Sequence, residues 1–494
     1  MSSTGAKCGA EPRGWATRAR LPSFAITLAC VGLFAAGCAP SLKGNEPREP
    51  NRQVPASFAG AASQETTSSA QKKWGEFFDS SELRALIETA LRQNQELNIR
   101  LQEIIIAQNE VSARKGEYLP KVSAGAGAGV DKVGKHTSQG VSDEAHGVPE
   151  HLGNFQFGLT GSWEIDVWKK LRNAAKAAGL RYLSSVEGRN FAVTQLVAEI
   201  ARSYFELIAI DNQLDVLHRN IEVQADALEV VKLQKQAARV TELAVQRFEA
   251  EVLKSRSRLY DLEQEKVQTE NRINFLVGRY PQPVTRNSQK FKDPLPDVVH
   301  SGLPSQLLEN RPDVRQAELD LAAAKLDVKV AKAAFYPSLS IDAGVGYRSF
   351  NAEHLLATPA SVVYNVGGNL TAPLLNRTAI EAQYRSANAR QLQAVFNYEK
   401  TLLQAFTDVA NQLAVIENLQ KSYELQSQQV EALARSSEIS SVLFQSARAD
   451  YMEVLLTRRD SLEGQLELIE TKKRQLQAMV KIYQALGGGW RSGT

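Results

Sequence analysis

Sulfur is nearly absent: 494 residues contain three cysteines and three methionines. Cys8 and Cys30 precede Cys38 near the N-terminus and no cysteine follows, so a disulfide framework is excluded. Six histidines leave little room for a multi-ligand metal centre. The formal charge is only +3, which excludes the strongly basic field that gathers nucleic acid. No apolar run is long enough for a membrane-crossing helix; the stretch at 21–34 is short and interrupted by Pro22. With 43% hydrophobic and 7% aromatic residues, the chain is too polar for a bundle of such helices. Proline is missing from two stretches of more than a hundred residues each, 165–277 and 374–486. No nucleophile–base arrangement stands out, so no enzyme activity and no cofactor are expected. Gly125, Gly127 and Gly129 alternate within a strand pattern and lack the Lys-Ser/Thr of a phosphate loop.

The N-terminus carries export information. Arg13, Arg18 and Arg20 precede the apolar stretch, which ends in Ala35-Ala36-Gly37-Cys38. A basic region, a short apolar core and small residues before the cut describe a signal peptide over 1–37. Small residues before a cysteine resemble the lipobox of bacterial lipoproteins, in which the cysteine becomes the acylated first residue. Cys38 is therefore the expected lipidation site, and several acyl chains hold a membrane stably. Residues 38–73 are rich in Pro, Ser, Gln, Glu and Thr without an apolar period, and read as a lipid-anchored, extended tether.

The rest of the chain is a tandem duplication. Tyr118-Leu119-Pro120 recurs as Phe335-Tyr336-Pro337, an offset of 217. Glu199-Ile200-Ala201 recurs as Asp408-Val409-Ala410, an offset of 209 that also carries Ala238 to Ala447 and Gly278 to Gly487. The first copy thus holds about eight extra residues between Pro120 and Leu171. Val193, Val197, Ile200, Tyr204 and Leu207 are spaced 4, 3, 4, 3, and their counterparts are Leu402, Phe406, Val409, Leu413 and Ile416. That spacing marks coiled-coil packing. The expected organisation is a first structural repeat at 74–290, a second at 291–490, and a tail at 491–494.

The two proline-free stretches are rich in good helix formers and far exceed ordinary helices. Each is expected to fold back once, near 237–241 and 446–450, with the first limb starting at about residue 165. Four segments alternate instead with period two: 122–130, 155–163, 339–347 and 364–372. Each suits a tilted membrane strand with one lipid face and one wet face. Four strands cannot close a barrel, since the smallest membrane barrels have about eight. An open edge in lipid strands backbone groups at several kcal/mol each. The chain must therefore oligomerise to span a membrane, and three copies would supply twelve strands.

Four further segments carry a family resemblance. They are Trp74 to Asn94 with Phe77, Asp79, Leu83, Leu86, Ile87, Ala90 and Leu91; Trp163-Glu164-Ile165-Asp166-Val167-Trp168; Gly302-Leu303-Pro304-Ser305 with Leu308 and Arg311-Pro312-Asp313-Val314-Arg315; and Tyr483-Gln484-Ala485-Leu486-Gly487-Gly488-Gly489-Trp490. In order, on a duplicated chain, they resemble the outer-membrane efflux protein family of TolC-like channels, and its lipoprotein branch that serves tripartite RND-type pumps. The resemblance implies a mainly α fold with a membrane β-barrel contribution. A homotrimer would form a twelve-stranded barrel in the outer membrane and a twelve-helix periplasmic α-barrel. It also implies a periplasmic adaptor and an inner-membrane pump as partners, contact with outer-membrane lipid, and no chemistry in the channel itself.

By the same resemblance the helical tips form the periplasmic aperture. They read Ala238-Arg239-Val240-Thr241 and Ala447-Arg448-Ala449-Asp450, with alanine where relatives often have glycine. Glu453 matches an acidic ring position, and Leu456 stands where many relatives carry a second acid. Arg239 and Arg448 are candidate partners for acidic groups at the tips, beside Thr241 and Asp450. Asp342 and Arg348 fall on the wet face of a strand and are candidate pore-facing residues. His136, His146 and His151 share a loop with Asp143, Glu144 and Glu150 but lack close ligand spacing, so a solvated loop is expected. Two other readings stay open: the outer-membrane component of type I protein secretion, and a membrane-anchored coiled-coil scaffold that is no channel.

Overall fold

A computed structural model describes residues 39–42, 46–58, 68–292, 301–446 and 448–491. The expected signal peptide, Cys38 and Ala447 lie outside the described residues. In chain order the elements are α1 (Trp74–Phe77), α2 (Ser81–Gln93), α3 (Gln95–Glu117), β1 (Lys121–Asp131), α4 (Ser138–Ala145), β2 (Leu152–Ile165), α5 (Lys170–Gln236) and α6 (Glu242–Val277). There follow α7 (Leu307–Asn310), α8 (Pro312–Ala333), β3 (Ser338–Ser349), β4 (Val362–Thr371), α9 (Thr378–Gln445) and α10 (Tyr451–Ala485). They form two units. One comprises Gly116–Asn173 and Val328–Ala387 with residues 39–42; the other comprises Asn45–Lys115, Ala174–Asp327 and Asn388–Thr494.

The duplication holds for the strands and the long helices. The offset of 217 carries the start of α3 to that of α8 and the start of β1 to that of β3, and the offset of 209 carries α6 to α10. The extra length of the first copy sits in the loop between β1 and β2, which runs over 132–151 against 350–361 between β3 and β4. The eight-residue α4 fills that difference, capped by the Thr137 side chain. The breaks at 237–241 and 446–450 are where they were expected. α5 and α9 have 67 and 68 residues, about 100 Å each at ~1.5 Å per residue. Among the described residues, no helix is long and apolar enough to cross a membrane.

Two boundaries differ from the sequence reading. β2 extends over 152–165 rather than 155–163 because both neighbours keep pairing with it, Asp131 opposite Leu152 and Leu339 opposite Ile165. The first long helix therefore starts at Lys170 rather than near 165. Asp166 caps it, accepting from the backbone N–H of Leu171 (3.1 Å) and Arg172 (2.9 Å) and from Arg172 Nε (3.1 Å).

Two large apolar clusters hold the upper part of each hairpin, and the first also draws in Leu476, Val480 and Tyr483 from α10. In the first, Leu83, Leu86, Ile87 and Ala90 of α2 pack with Val193, Val197, Ile200, Tyr204 and Leu207 of α5. Spacings of three and four put each set on one helix face. In the second, Leu402 and Val409 are buried, but Phe406, Leu413 and Ile416 are only partly covered. The reason is local. Among the described residues, the counterpart of the 13-residue α2 is two short helical turns, Pro304–Gln306 and α7. Part of the N-terminal segment packs there: Phe58 stacks on Phe406 with ring centroids 5.3 Å apart. Arg52 pairs with Glu318 at 2.8 Å, Arg48 with Glu399, and the backbone N–H of Asn51 donates to Glu399 at 2.9 Å.

Each helical hairpin ends on a glycine that the fold requires. Gly278 (φ 82°) closes α6, and a Cβ there would lie 2.5 Å from the Gln93 carbonyl oxygen. Gly487 (φ 90°) follows α10, and its Cβ would lie 2.5 Å from the Asn310 carbonyl oxygen. Gln93 and Asn310 are themselves related by the offset of 217, so one backbone approach is built twice. Only glycine combines that φ with that clearance. The motif Arg311-Pro312-Asp313 is structural: buried Arg311 donates to Asp313 (3.0 and 2.7 Å), to Asp408 (3.3 Å) and to the Ala485 carbonyl (2.9 Å).

After α6 the chain is tied back to α5 by Arg286. It donates to both carboxylate oxygens of Asp211 (2.5 and 2.9 Å) and to Glu270 (2.6 Å), while Ser288 Oγ donates to Asp211 at 2.6 Å. Burial alone would push the Asp211 carboxyl up; the hydrogen bonds from Arg286 and Ser288 outweigh it and hold it below the usual range. A carboxyl lowered in the folded state stabilises above its unfolded pKa, and that stability is lost as pH falls through the folded value. D211N is expected to cost about 2 kcal/mol at neutral pH. The gap between wild type and D211N should narrow in thermal unfolding as the pH falls below about 4; a gap that stays constant down to acid pH would contradict the assignment.

Candidate functional site

The sheet runs β1-β2-β3-β4, antiparallel throughout. Its register sorts residues by face. Val122, Ala124, Ala126 and Ala128 of β1 lie opposite Gly161, Leu159, Phe157 and Phe155 of β2. Phe157, Leu159, Trp163 and Ile165 lie opposite Tyr347, Val345, Ile341 and Leu339 of β3. Leu339, Ala343, Val345 and Tyr347 lie opposite Leu370, Val366, Tyr364 and Val362 of β4. One face is thus apolar across all four strands, and Val122, Val130, Leu159, Val345, Tyr364, Val366 and Leu370 are exposed on it. A contiguous exposed apolar surface of this kind marks an interaction face. At one end Trp168 stacks on Tyr336 (4.8 Å) and donates to the Pro337 carbonyl (2.7 Å), while Trp163 donates to the Tyr118 carbonyl (3.0 Å). Indoles with one apolar side and one satisfied N–H suit a membrane–water boundary.

The other face carries Ser, Thr, Asn, Gln and Gly, together with both candidate pore residues. Asp342 accepts from Asn369 Nδ2 at 2.7 Å. Arg348 Nε donates to Asn154 Oδ1 (3.2 Å), and Asn154 Nδ2 donates to Asp131 Oδ2 (3.1 Å). The two are six residues apart on one strand, about 20 Å, so they occupy separate levels and form no common site. The outer edges of β1 and β4 have no partner among the described residues.

In the other unit the tips are built from two turns. Ala238 has φ 55°, and Ala238 N–H and Arg239 N–H donate to the carbonyls of Lys235 (2.9 Å) and Gln234 (2.8 Å). These are the two bonds of a Schellman motif, executed with alanine rather than glycine at the left-handed position. Arg448 N–H donates to the Leu443 carbonyl at 2.8 Å, the same bond carried to the second copy by the offset of 209. Thr241 and Asp450 are the residues before α6 and α10, with extended backbones and no side-chain cap bond. Lys235 and Glu242 pair across the first turn, and that bond, with Gln246, holds the Glu242 carboxyl below its usual range. Glu453 and Leu456 lie on one side of α10 and line a groove of about 640 Å³ with Ile439, Leu443 and Arg435 of α9. Arg239 and Arg448 are exposed, and among the described residues neither forms an ion pair with Glu453 or Asp450.

Sequence reasoning passed over the residues that join the two tips. Tyr451 and Leu455 of α10 pack against Leu228, Val231, Val245 and Phe248 of the first hairpin. Arg458, also on α10, donates to the Val223 carbonyl and to Ser441 Oγ, both at 3.3 Å. Burial without a carboxylate partner pulls this guanidinium below its ordinary value. The apolar period marks Tyr451 and Leu455 as core; nothing in the sequence marks their partners.

The sequence matches the outer membrane efflux protein family over residues 59–279 and 303–488. A pyoverdine export outer membrane protein of Pseudomonas aeruginosa is 29% identical, with 96% of this chain and 98% of that protein covered. A cation efflux system protein of Escherichia coli is 27% identical, covering 94% of this chain and 98% of that one. A crystal structure of a membrane protein from Pseudomonas aeruginosa superposes with a TM-score of 0.82 at 24% identity, over 91% of this chain and all of that one, and so shares the fold.

Ala238 provides a direct test of the tip geometry. A left-handed conformation costs a residue with a Cβ about 1–2 kcal/mol. A238G is therefore expected to slow amide hydrogen exchange in the last turn of α5 several-fold, and unchanged or faster exchange would contradict the strained turn.

Proposed function

Because the chain belongs to the outer membrane efflux protein family, whose members are channels rather than enzymes, we propose that three copies close into a passive duct carrying small solutes out of the cell. A periplasmic adaptor and an inner-membrane pump of the RND type deliver the cargo, and the pump supplies the energy. The observation that carries this reading is the sheet: one face apolar across four strands, the other polar, and both edges open. Lipid takes the apolar face and further copies take the edges, because an unpaired edge in hydrocarbon is costly. Three chains give twelve strands around a polar lumen.

The cargo is small and weakly held. The polar face offers glycine, serine, threonine and asparagine, with Asp342 and Arg348 at different levels, and no converging set of groups that would trap a solute. The cargoes named for the two relatives, pyoverdine and cations, differ, which supports a duct that leaves selection to the pump. At the tips, Glu453 and Leu456 line the periplasmic aperture, each repeated three times around the axis; a ring of carboxylates favours cations. Arg239, Thr241, Arg448 and Asp450 form the surface that meets the adaptor. Acylated Cys38 anchors the chain to the outer membrane after removal of 1–37, and residues 38–73 lead from the lipid to the first repeat.

Cross-linking a tagged copy in native membranes and identifying its partners by mass spectrometry tests this. Recovery of an adaptor with a proton-driven pump is expected. An ATP-binding exporter instead would move the protein to peptide or protein secretion, and a solitary monomer would remove the channel altogether. C38S should lose the lipid, read as a mass decrease, without losing the adaptor.

A further inference from the structure

The two ends of the sheet differ in charge. At the end of the two hairpin loops, residues 131–152 and 348–361 hold three Lys or Arg against five Asp or Glu. At the other end, residues 116–121, 164–173, 328–338 and 371–387 hold eight against four. This second end, where the strands meet the helices, therefore carries a surplus of positive charge.

The surplus is exposed and partly unpaired. Lys169, Lys329 and Lys332 are exposed and form no ion pair among the described residues. Lys170 pairs with Glu164 at 3.0 Å and Arg172 with Asp166 at 3.1 Å. The offset of 209 carries Asp166 to Leu375, which is 90% exposed. The second repeat thus presents an apolar side chain where the first presents the carboxylate that neutralises its arginine. Each repeat also sets a guanidinium over a ring at this end. Arg172 lies 5.9 Å from the centre of Tyr118 and Arg377 lies 4.8 Å from that of Phe335, and the offset of 217 relates the two rings.

Apolar side chains interleave with the cations. Leu119, Val167 and Trp168 of the first repeat and Leu374 and Leu375 of the second are exposed here. They continue the apolar face of the sheet past its last strand pairs. A lysine in such a place lays its stem along the apolar surface and reaches outward with its ammonium group. Cations and aromatic rings at the rim of a lipid-facing surface fit a headgroup layer. The N-terminal segment marks the same end: Ala39 and Leu42 pack with Phe335, Ile380 and Tyr384, and Ala39 directly follows Cys38 in the chain. The lipid anchor and the basic rim therefore belong to one membrane leaflet.

We propose that this rim is a docking surface for anionic phospholipid, with headgroup phosphates on Lys169, Lys329, Lys332 and Arg377 and acyl chains on the adjoining apolar face. The charge decides the partner. A zwitterionic headgroup has no net charge to answer the surplus, whereas each basic residue close to an anionic surface raises binding about fivefold. The rim sets the depth of the sheet in the membrane and points its basic end to the leaflet that holds the anchor. This rests on the reading of the sheet as membrane-spanning and deepens it by naming the headgroup class and the residues that take it.

Titrating the purified, full-length protein in neutral detergent with dioleoylphosphatidylglycerol or dioleoylphosphatidylcholine, and counting bound lipids by native mass spectrometry, tests this. Phosphatidylglycerol is expected to bind about tenfold or more tightly than phosphatidylcholine. K169Q/K329Q/K332Q should lose most of that preference without changing phosphatidylcholine binding. K132Q/K135Q, at the loop end, should keep it. Equal affinity for the two lipids, or a preference that survives K169Q/K329Q/K332Q, would overturn the proposal. Displacement of the phospholipid by inorganic phosphate, but not by sodium chloride of equal ionic strength, would assign the cations to a free anion and overturn it as well. Insertion into bilayers separates the underlying reading: protein that enters bilayers of neither lipid would overturn the membrane-spanning sheet together with its rim.

Discussion

Everything in this molecule follows from an unpaired strand edge. A backbone N–H or C=O facing hydrocarbon without a partner costs several kcal/mol, and lipid offers no water to relieve it. The four-stranded sheet presents two such edges, with an apolar face across all four strands. A sheet of this kind is unstable alone in a membrane and stable only as an arc of a closed barrel. The helical unit, the tether and the tips belong to an assembly that this constraint makes obligatory.

Duplication is the economical answer to that constraint. One chain carries the same helix–strand–hairpin unit twice, so the contact between the two units is internal and fixed by connectivity. Gly278 against Gln93 and Gly487 against Asn310 show how closely the copies agree at a shared backbone approach. The copies diverge at two places. The first copy spends its extra residues on the loop that contains α4. Among the described residues the second has two short helical turns in place of α2, and Phe58 from the N-terminal segment stacks on Phe406. A segment that reads as a loose leash is therefore also part of the second repeat's core.

What could be read from the sequence was local. Alternation gave the strands and their faces, the lack of proline gave the long helices, and polar clusters gave the turns, because each is set within a few residues. Asp342 and Arg348 were legible as polar-face residues for that reason. The end of β2 at Ile165 was not, since it depends on how far β1 and β3 continue to pair with it. Nor were Arg458, whose partners lie on α5 and α9, or the contact of Tyr451 and Leu455 with the first hairpin. Polar tether residues such as Arg48 and Arg52 gave no sign that they grip Glu399 and Glu318.

The arrangement needs no chemistry of its own. In the proposed duct, a polar face with few charged groups lets solute move down whatever gradient a pump creates. The direct measurement is the current through purified protein in a planar lipid bilayer. The account predicts discrete, ohmic conductance steps with neither nucleotide nor proton gradient present. Folded, ring-shaped protein that inserts into the bilayer and passes no current would contradict it.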